Sequence, residues 1–143
     1  MWSMTTKMKG GSPSGTKGLA SRTRNGVTLG LHRVGDLFVK EFKKQVMAKR
    51  KHGRVYRLDR LGDHRASAKY ETPANRTGHY RDMIGFYVSS GNLVFGNNAH
   101  YAGFLEDGTR NMYPRYGLKN SIEKVSEEKV SDTIMKAVME SIR

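Results

Sequence analysis

Two stripes of apolar residues at helical spacing, one toward each end of the chain, set most of what this sequence can fold into. In the first, Leu31, Val34, Phe38, Phe42 and Val46 recur in steps of three or four, which predicts an amphipathic helix from Val27 to Arg50. Lys40, Lys43, Lys44 and Lys49 lie largely off that stripe. Gly30 and Gly35 weaken its start by roughly 1 kcal/mol each relative to alanine, and His52-Gly53 ends it. In the second, Leu118, Ile122, Val125, Val130, Ile134, Ala137, Val138 and Ile142 predict one long C-terminal helix, with Lys119, Glu123, Lys124, Glu127, Glu128 and Lys136 on its wet face.

Between the stripes the period changes. Met83–Ser89 and Asn92–Gly96 are β-type runs joined by Ser90-Gly91, the pattern of a hairpin. Asn97-Asn98 breaks the chain. Tyr101, Ala102, Phe104 and Leu105 then fit a short helix that Asp107-Gly108-Thr109 stops. Residues 53–82 have no sustained period, and Gly53, Gly62, Pro73 and Gly78 interrupt them; only Val55–Leu58 reads as a short strand. The expected class is α+β: a small antiparallel sheet, an N-terminal amphipathic helix, an extended basic arm over about residues 51–82, a short helix and a long C-terminal helix. Ahead of Gly26, Leu19 is the single Leu, Ile, Val or Phe, so residues 1–25 read as a flexible tail and residues 26–143 as one domain. Gly10–Lys17 approaches a phosphate-binding loop, but its order is Gly-Thr-Lys and no apolar strand precedes it, so it reads as linker.

Charge is distributed as unevenly as hydropathy. The chain has 26 Lys+Arg against 13 Asp+Glu, a formal net charge of +13, while residues 84–143 hold seven of each. The whole excess therefore belongs to residues 1–83, and it is densest over Lys40–Arg65, with ten basic and three acidic residues. Within that stretch Arg54, Tyr56, Arg57, Arg60 and Arg65 interleave guanidinium groups with an aromatic ring. This combination suits a nucleic-acid backbone, and it suits an acidic protein surface equally well. Net charge alone leaves the two readings even, because it speaks to partners and not to fold.

Catalytic chemistry has little support. No two of the five histidines have the spacing that puts two ligands on one helix face, and no cysteine is present to complete a zinc set, form a disulfide or act as a nucleophile. Asp63-His64 lacks a nucleophile, and Glu106-Asp107, followed by Gly108, reads as a helix end. No catalytic, cofactor-binding or metal-ligating residue is assigned, and no small-molecule substrate is expected. The longest apolar run, Met83–Val88, is six residues against the roughly 20 a membrane helix needs, so no membrane partner is expected either. Met1–Lys7 has no apolar core of a secretory leader. A soluble protein made in a cytoplasm is the expectation.

Five stretches in fixed order resemble a known family. They are Gly53-Arg54-Val55-Tyr56-Arg57; His64-Arg65-Ala66-Ser67; Thr72-Pro73-Ala74-Asn75-Arg76-Thr77-Gly78; Tyr101-Ala102-Gly103-Phe104-Leu105-Glu106-Asp107-Gly108-Thr109; and Met112-Tyr113-Pro114-Arg115. Together, with the elements between them, they resemble the head–tail joining, or tail-completion, proteins of tailed bacteriophages, over about residues 27–142. Thr72 and Tyr116 stand where that pattern has prolines, and His79-Tyr80 replaces its leucine neighbourhood.

The resemblance implies a non-enzymatic virion component, made in the host cytoplasm. It would form rings, often of six subunits, at the neck and contact copies of itself, head-completion proteins, and tail-tube or tail-terminator proteins. Passing contact with genomic DNA is compatible with such a ring. On this reading Arg54, Tyr56, Arg57, Arg60, Arg65, Glu106, Arg110 and Arg115 belong to interfaces, with Glu106 pairing with Arg110 or Arg115. Gly78, Tyr101, Phe104, Leu105, Gly108, Thr109 and Pro114 are structural. Tyr101, Phe104 and Leu105 pack the short helix onto the sheet, Gly108 permits a left-handed turn, and Pro114 fixes the approach to the last helix.

Overall fold

The first stripe does form a helix, and the helix extends well ahead of it. A computed structural model of the chain describes residues 13–48, 51–57 and 62–143. In it α1 runs Pro13–Val46 and buries Val34, Phe42 and Val46 almost completely. Residues 13–25, expected as part of a flexible tail, form its first turns. A helix already nucleated by a packed half adds each further residue at the cost of propagation alone, so even a stretch poor in apolar residues can continue it. Lys49, Arg50, Arg60 and the first twelve residues of the expected tail lie outside the described residues.

The molecule is α+β, as the pattern predicts. After α1 come β1 (Val55–Tyr56), β2 (His64–Arg65), α2 (His79–Asp82), β3 (Ile84–Ser89), β4 (Asn92–Asn97), α3 (Ala102–Asp107), α4 (Leu118–Lys124) and α5 (Glu127–Ile142). β1 pairs with β2 and β3 with β4, as two separate antiparallel ribbons. The second ribbon is the expected hairpin, with Phe86 opposite Phe95 and Tyr87 opposite Val94. Its turn places Ser90 at φ 50° and Gly91 at φ 78°, the two positive values that a tight turn matching the strand twist requires.

The expected C-terminal helix is divided. Val125 is extended (φ −92°, ψ 108°), so the chain leaves α4 there and restarts at Ser126, whose hydroxyl accepts the Lys129 N–H at 3.3 Å. Glu127 and Glu128 occupy the first turn of α5, at the positive end of its dipole. The apolar stripe runs through the break because Val125 stays half-buried. Ser126→Ala is expected to cost about 1 kcal/mol, read as a shift of a few degrees in the thermal midpoint.

α5 packs along α1 and buries Ala137 completely. The α1 glycines make this approach possible. A Cβ on Gly26 would lie 2.7 Å from the Val138 Cα, and one on Gly30 would lie 2.8 Å from the Ile134 Cα. At Gly35 a Cβ would run into the Phe86 ring, so the same helix also admits β3. The Arg33 guanidinium bridges to Glu140 at 2.7 Å along the exposed edge of the helix pair. Phe42 centres the remaining core, 5.3 Å from the Tyr80 ring and 6.3 Å from that of Phe95, with Ile84, Ala99 and Ala102 around them.

Tyr101 and Leu105 of the short-helix region pack on this core, whereas Phe104 is 61 % exposed. This corrects the expected role of Phe104. Ala102 and Leu105, three residues apart, share the packed face of α3, and Phe104 points away from it. No helix among the described residues is long and apolar enough to cross a membrane.

Candidate interaction face

The basic arm begins as a ribbon. Val55 pairs with Arg65 and Tyr56 with His64. The ladder continues through the Gly53 N–H to the Ala66 carbonyl at 3.0 Å and the Ala66 N–H to the Arg54 carbonyl at 2.9 Å. A side chain on Gly53 would stand 2.6 Å from the Ala66 oxygen, so glycine is what lets the strands close here. Gly53–Arg57 and His64–Ser67 are thus two sides of one device.

Its root is pinned by buried charge. Lys51, 9 % exposed, donates to the Thr72 carbonyl at 3.0 Å and the Gln45 carbonyl at 3.2 Å. Burial lowers its pKa against the opposing pull of Glu71. The Glu71 carboxylate accepts from the Ala68 N–H at 2.7 Å and the His52 N–H at 3.1 Å, with the His52 ring nitrogen 3.0 Å away. Burial alone would raise the Glu71 pKa; these hydrogen bonds and the Lys51 charge outweigh it and hold the carboxyl below its ordinary value. A group depressed in the folded state contributes stability that is present above its unfolded pKa and lost as pH falls through the folded one. Stability is therefore expected to fall as pH drops below about 4, and Glu71→Gln to flatten part of that loss in midpoints measured against pH.

The strap after the ribbon crosses to the other half of the molecule. Thr72, buried, places its hydroxyl 3.3 Å from the Tyr116 carbonyl and 3.2 Å from the Gln45 side-chain oxygen. The two departures at Thr72 and Tyr116 therefore meet in space. Gly78, at φ 86°, donates its N–H to Asn75 Oδ1 and opens α2, which carries Tyr80 into the core. Gly108 sits at φ 78°, ψ −176°, where glycine alone is at ease, and a Cβ there would meet the Met112 carbonyl at 2.7 Å. Thr109 and Met112 exchange backbone bonds at 2.8 and 3.2 Å. The Pro114 carbonyl accepts the Tyr70 N–H and the Arg115 N–H donates to the Leu105 carbonyl, so Pro114 and Arg115 are clamped between strap and α3 ahead of α4.

Among the described residues Glu106 pairs with no arginine, neither Arg110 nor Arg115. Its Oε1 accepts the Gly117 N–H at 2.7 Å, the Leu118 N–H at 2.6 Å and the Tyr80 hydroxyl at 3.1 Å. It caps α4, where backbone N–H groups otherwise lack partners. Burial, and then the Glu106 charge, push the Tyr80 phenol far above its ordinary pKa.

The arginines are left facing outward. Arg54, Tyr56, Arg57 and Arg65 are exposed on the ribbon, with the Arg54 guanidinium 5.7 Å from the Tyr56 ring centre. Arg115 joins Tyr56, His64, Ala66 and Arg76 around a cleft of about 350 Å³. Arg110 stands apart on the Thr109–Met112 turn. Among the described residues the ion pairs are Arg33–Glu140, Lys44–Glu41, His52–Glu71 and Arg81–Asp82, so Arg54, Arg57, Arg65, Arg76, Arg110 and Arg115 are all unpaired there.

A second basic and aromatic array joins Lys69-Tyr70 to residues more than 40 positions further along the chain. Lys69 Nζ lies 4.3 Å from the Tyr113 ring centre and 4.6 Å from that of Tyr70. Tyr70 stacks on Tyr116 at 5.5 Å and 14°, and Lys119 Nζ lies 4.7 Å from the Tyr116 ring centre. Cations alternating with ring faces can dock on carboxylates or phosphates without further chemistry. Among the described residues no group of three His, Cys, Asp or Glu could hold a metal ion. Comparison with protein-family models, with curated proteins and with solved structures finds no match.

Proposed function

We propose that this chain is a structural, non-enzymatic subunit of a tailed-bacteriophage virion, forming a ring at the head–tail junction that joins the head connector to the tail tube. One observation carries the reading: the five stretches between Gly53 and Arg115 that resemble the tail-completion pattern follow one another in its order. Their packing supports it. Several brace one another directly, Gly53–Arg57 against His64–Ser67 through the ribbon ladder and Tyr101–Thr109 against Met112–Arg115 through the Thr109–Met112 bonds and the Arg115 N–H to the Leu105 carbonyl, and they leave the guanidinium groups free for partners. The β3–β4 ribbon also has two strand edges to which a neighbour can add. Its partners would be copies of itself, head-completion proteins and tail-tube or tail-terminator proteins, within the virion.

The test is twofold. Purified protein is expected to form rings visible by electron microscopy and sedimentation, and deleting it from its phage is expected to leave heads and tails unjoined. A strict monomer whose deletion leaves joined particles overturns the reading.

Binding of nucleic acid by the same face is the second reading, favoured by the Arg54–Tyr56 contact and the Lys69–Tyr113 array. It predicts DNA affinity that falls steeply with salt, the log–log slope shrinking by about 0.9 for each phosphate-contacting arginine removed. Arg54→Ala and Arg57→Ala measure this by titration at several salt concentrations. No measurable binding at low salt removes the reading.

A further inference from the structure

At the corner where α1, α4 and α5 meet, the fold leaves a groove of about 550 Å³. Its lining includes the apolar side chains of Phe38, Val125, Val130 and Ile134, together with Glu123 and Glu127. Both glutamates are exposed, and neither makes an ion pair among the described residues. Lys124 and Lys129, on the same helices, do not line it, and no lining residue comes from the β1–β2 ribbon of the same chain.

That ribbon is the chemical complement of the groove. Val55 is 41 % exposed, and the face of the ribbon that carries it also carries Arg65, its cross-strand partner, and Arg57, two residues on, neither in an ion pair among the described residues; Tyr56 faces the other way, into the cleft with Arg115. The ribbon lies in the most basic stretch of the chain, and the groove, Phe38 apart, is lined from residues 84–143, which carry no net charge and offer carboxylates at this spot.

We propose that the ribbon of one copy seats in the α1–α4–α5 groove of the next, with Val55 over the apolar floor and Arg57 and Arg65, on the same face, against Glu123 and Glu127. This rests on the ring reading above and names the contact that would build the ring. Ribbon and groove are different patches, so each copy donates one and accepts the other. Such a head-to-tail contact repeats from chain to chain and ends when the rotation closes. Val55 supplies apolar burial, while the charges steer the approach and fix its direction.

Cysteine is absent from the chain, so an introduced pair reports the contact without background. Arg57→Cys combined with Ser126→Cys, oxidised at a concentration where rings form, is expected to give a covalent ladder reaching the ring size. Each single variant is expected to stop at dimers. In a second arm, Arg57→Glu with Arg65→Glu, or Glu123→Lys with Glu127→Lys, is expected to raise the concentration needed for assembly at least about tenfold. The four substitutions together, or a mixture of the two doubles, are expected to restore assembly, because a reversed ribbon can then meet a reversed groove. Circular dichroism checks that each variant keeps its helices, and the cysteine pair carries the test if a charge variant does not fold.

Wild-type rings with no ladder and no response to either reversal overturn this contact and leave the ring reading standing. Failure of the four-fold variant to reassemble, with its helices intact, also overturns it. So do ribbon variants that self-assemble normally yet no longer join a neck partner. A wild-type protein that is monomeric at every concentration overturns the ring reading and this contact with it.

Discussion

Gly30→Leu is expected to destabilise the protein by about 3 kcal/mol, the upper end of the usual cost of overpacking. Judged by helix propensity alone the sign should be opposite, since glycine in a helix interior is worse than leucine by nearly 1 kcal/mol. The site decides against propensity because the atom that a side chain at Gly30 would meet is the Ile134 Cα, at 2.8 Å from the Cβ. A backbone atom inside a helix has no rotamer with which to move aside, so α1 and α5 must separate along a face that buries Ala137 completely. Gly26→Leu meets the Val138 Cα one turn away and should act in the same direction. Gly18, on the same helix with nothing within 4 Å of its Cβ, is the internal control. Gly18→Ala is expected to be neutral or stabilising by up to about 1 kcal/mol. Thermal melts measure the contrast: a fall of about 10 °C for Gly30→Leu against no fall for Gly18→Ala. A raised midpoint for Gly30→Leu would sink the close-packing argument.

The same glycines mark the limit of what residue order reveals. The stripe Leu31–Val46 and the Ser90-Gly91 turn are legible because helical and strand periods, and positive φ, are local properties that each segment expresses by itself. Gly30 and Gly35 look like weaknesses for the same reason: their value lies in Ile134 and Phe86, which only the fold brings across from them. The break at Val125-Ser126 carried a local signal, a serine ahead of two glutamates, but the half-buried Val125 kept the apolar period running through it. Phe104 fitted the short helix by composition while its angular position took it off the packed face. On the interaction face, Arg54, Tyr56, Arg57 and Arg65 could be picked out because they lie together in sequence. Arg76 reaches their cleft from the strap, and Lys69, beside Tyr70 in sequence, meets Tyr113 from another segment, so residue order announces neither long-range contact.

Glu106 is where the two views differ most, and its removal is expected to cost about 3 kcal/mol, the scale for hydrogen bonds to a charged acceptor whose donors are then left without partners. Sequence proximity suggested an arginine, because Arg110 and Arg115 follow closely and charge pairs are the usual use of a glutamate near a helix end. The carboxylate instead faces three donors that converge from separate elements: the Gly117 and Leu118 N–H groups at the start of α4 and the hydroxyl of Tyr80, which is 4 % exposed. Gly117 makes room for this, since a Cβ there would lie 3.0 Å from Glu106 Oε1 and collide with the Tyr80 hydroxyl. Glu106→Gln keeps an oxygen in place without the charge and should lose about 1 kcal/mol, because neutral hydrogen bonds are roughly half as strong as charge-assisted ones. Double-mutant cycles separate the alternatives. Glu106→Ala and Tyr80→Phe should couple by about 1 kcal/mol, while Glu106→Ala and Arg115→Ala should add within about 0.5 kcal/mol in urea unfolding. Strong coupling to Arg115 with none to Tyr80 would return Glu106 to an arginine pair. The expected result makes it the brace that fixes α4, and through α4 the corner on which the proposed groove is built.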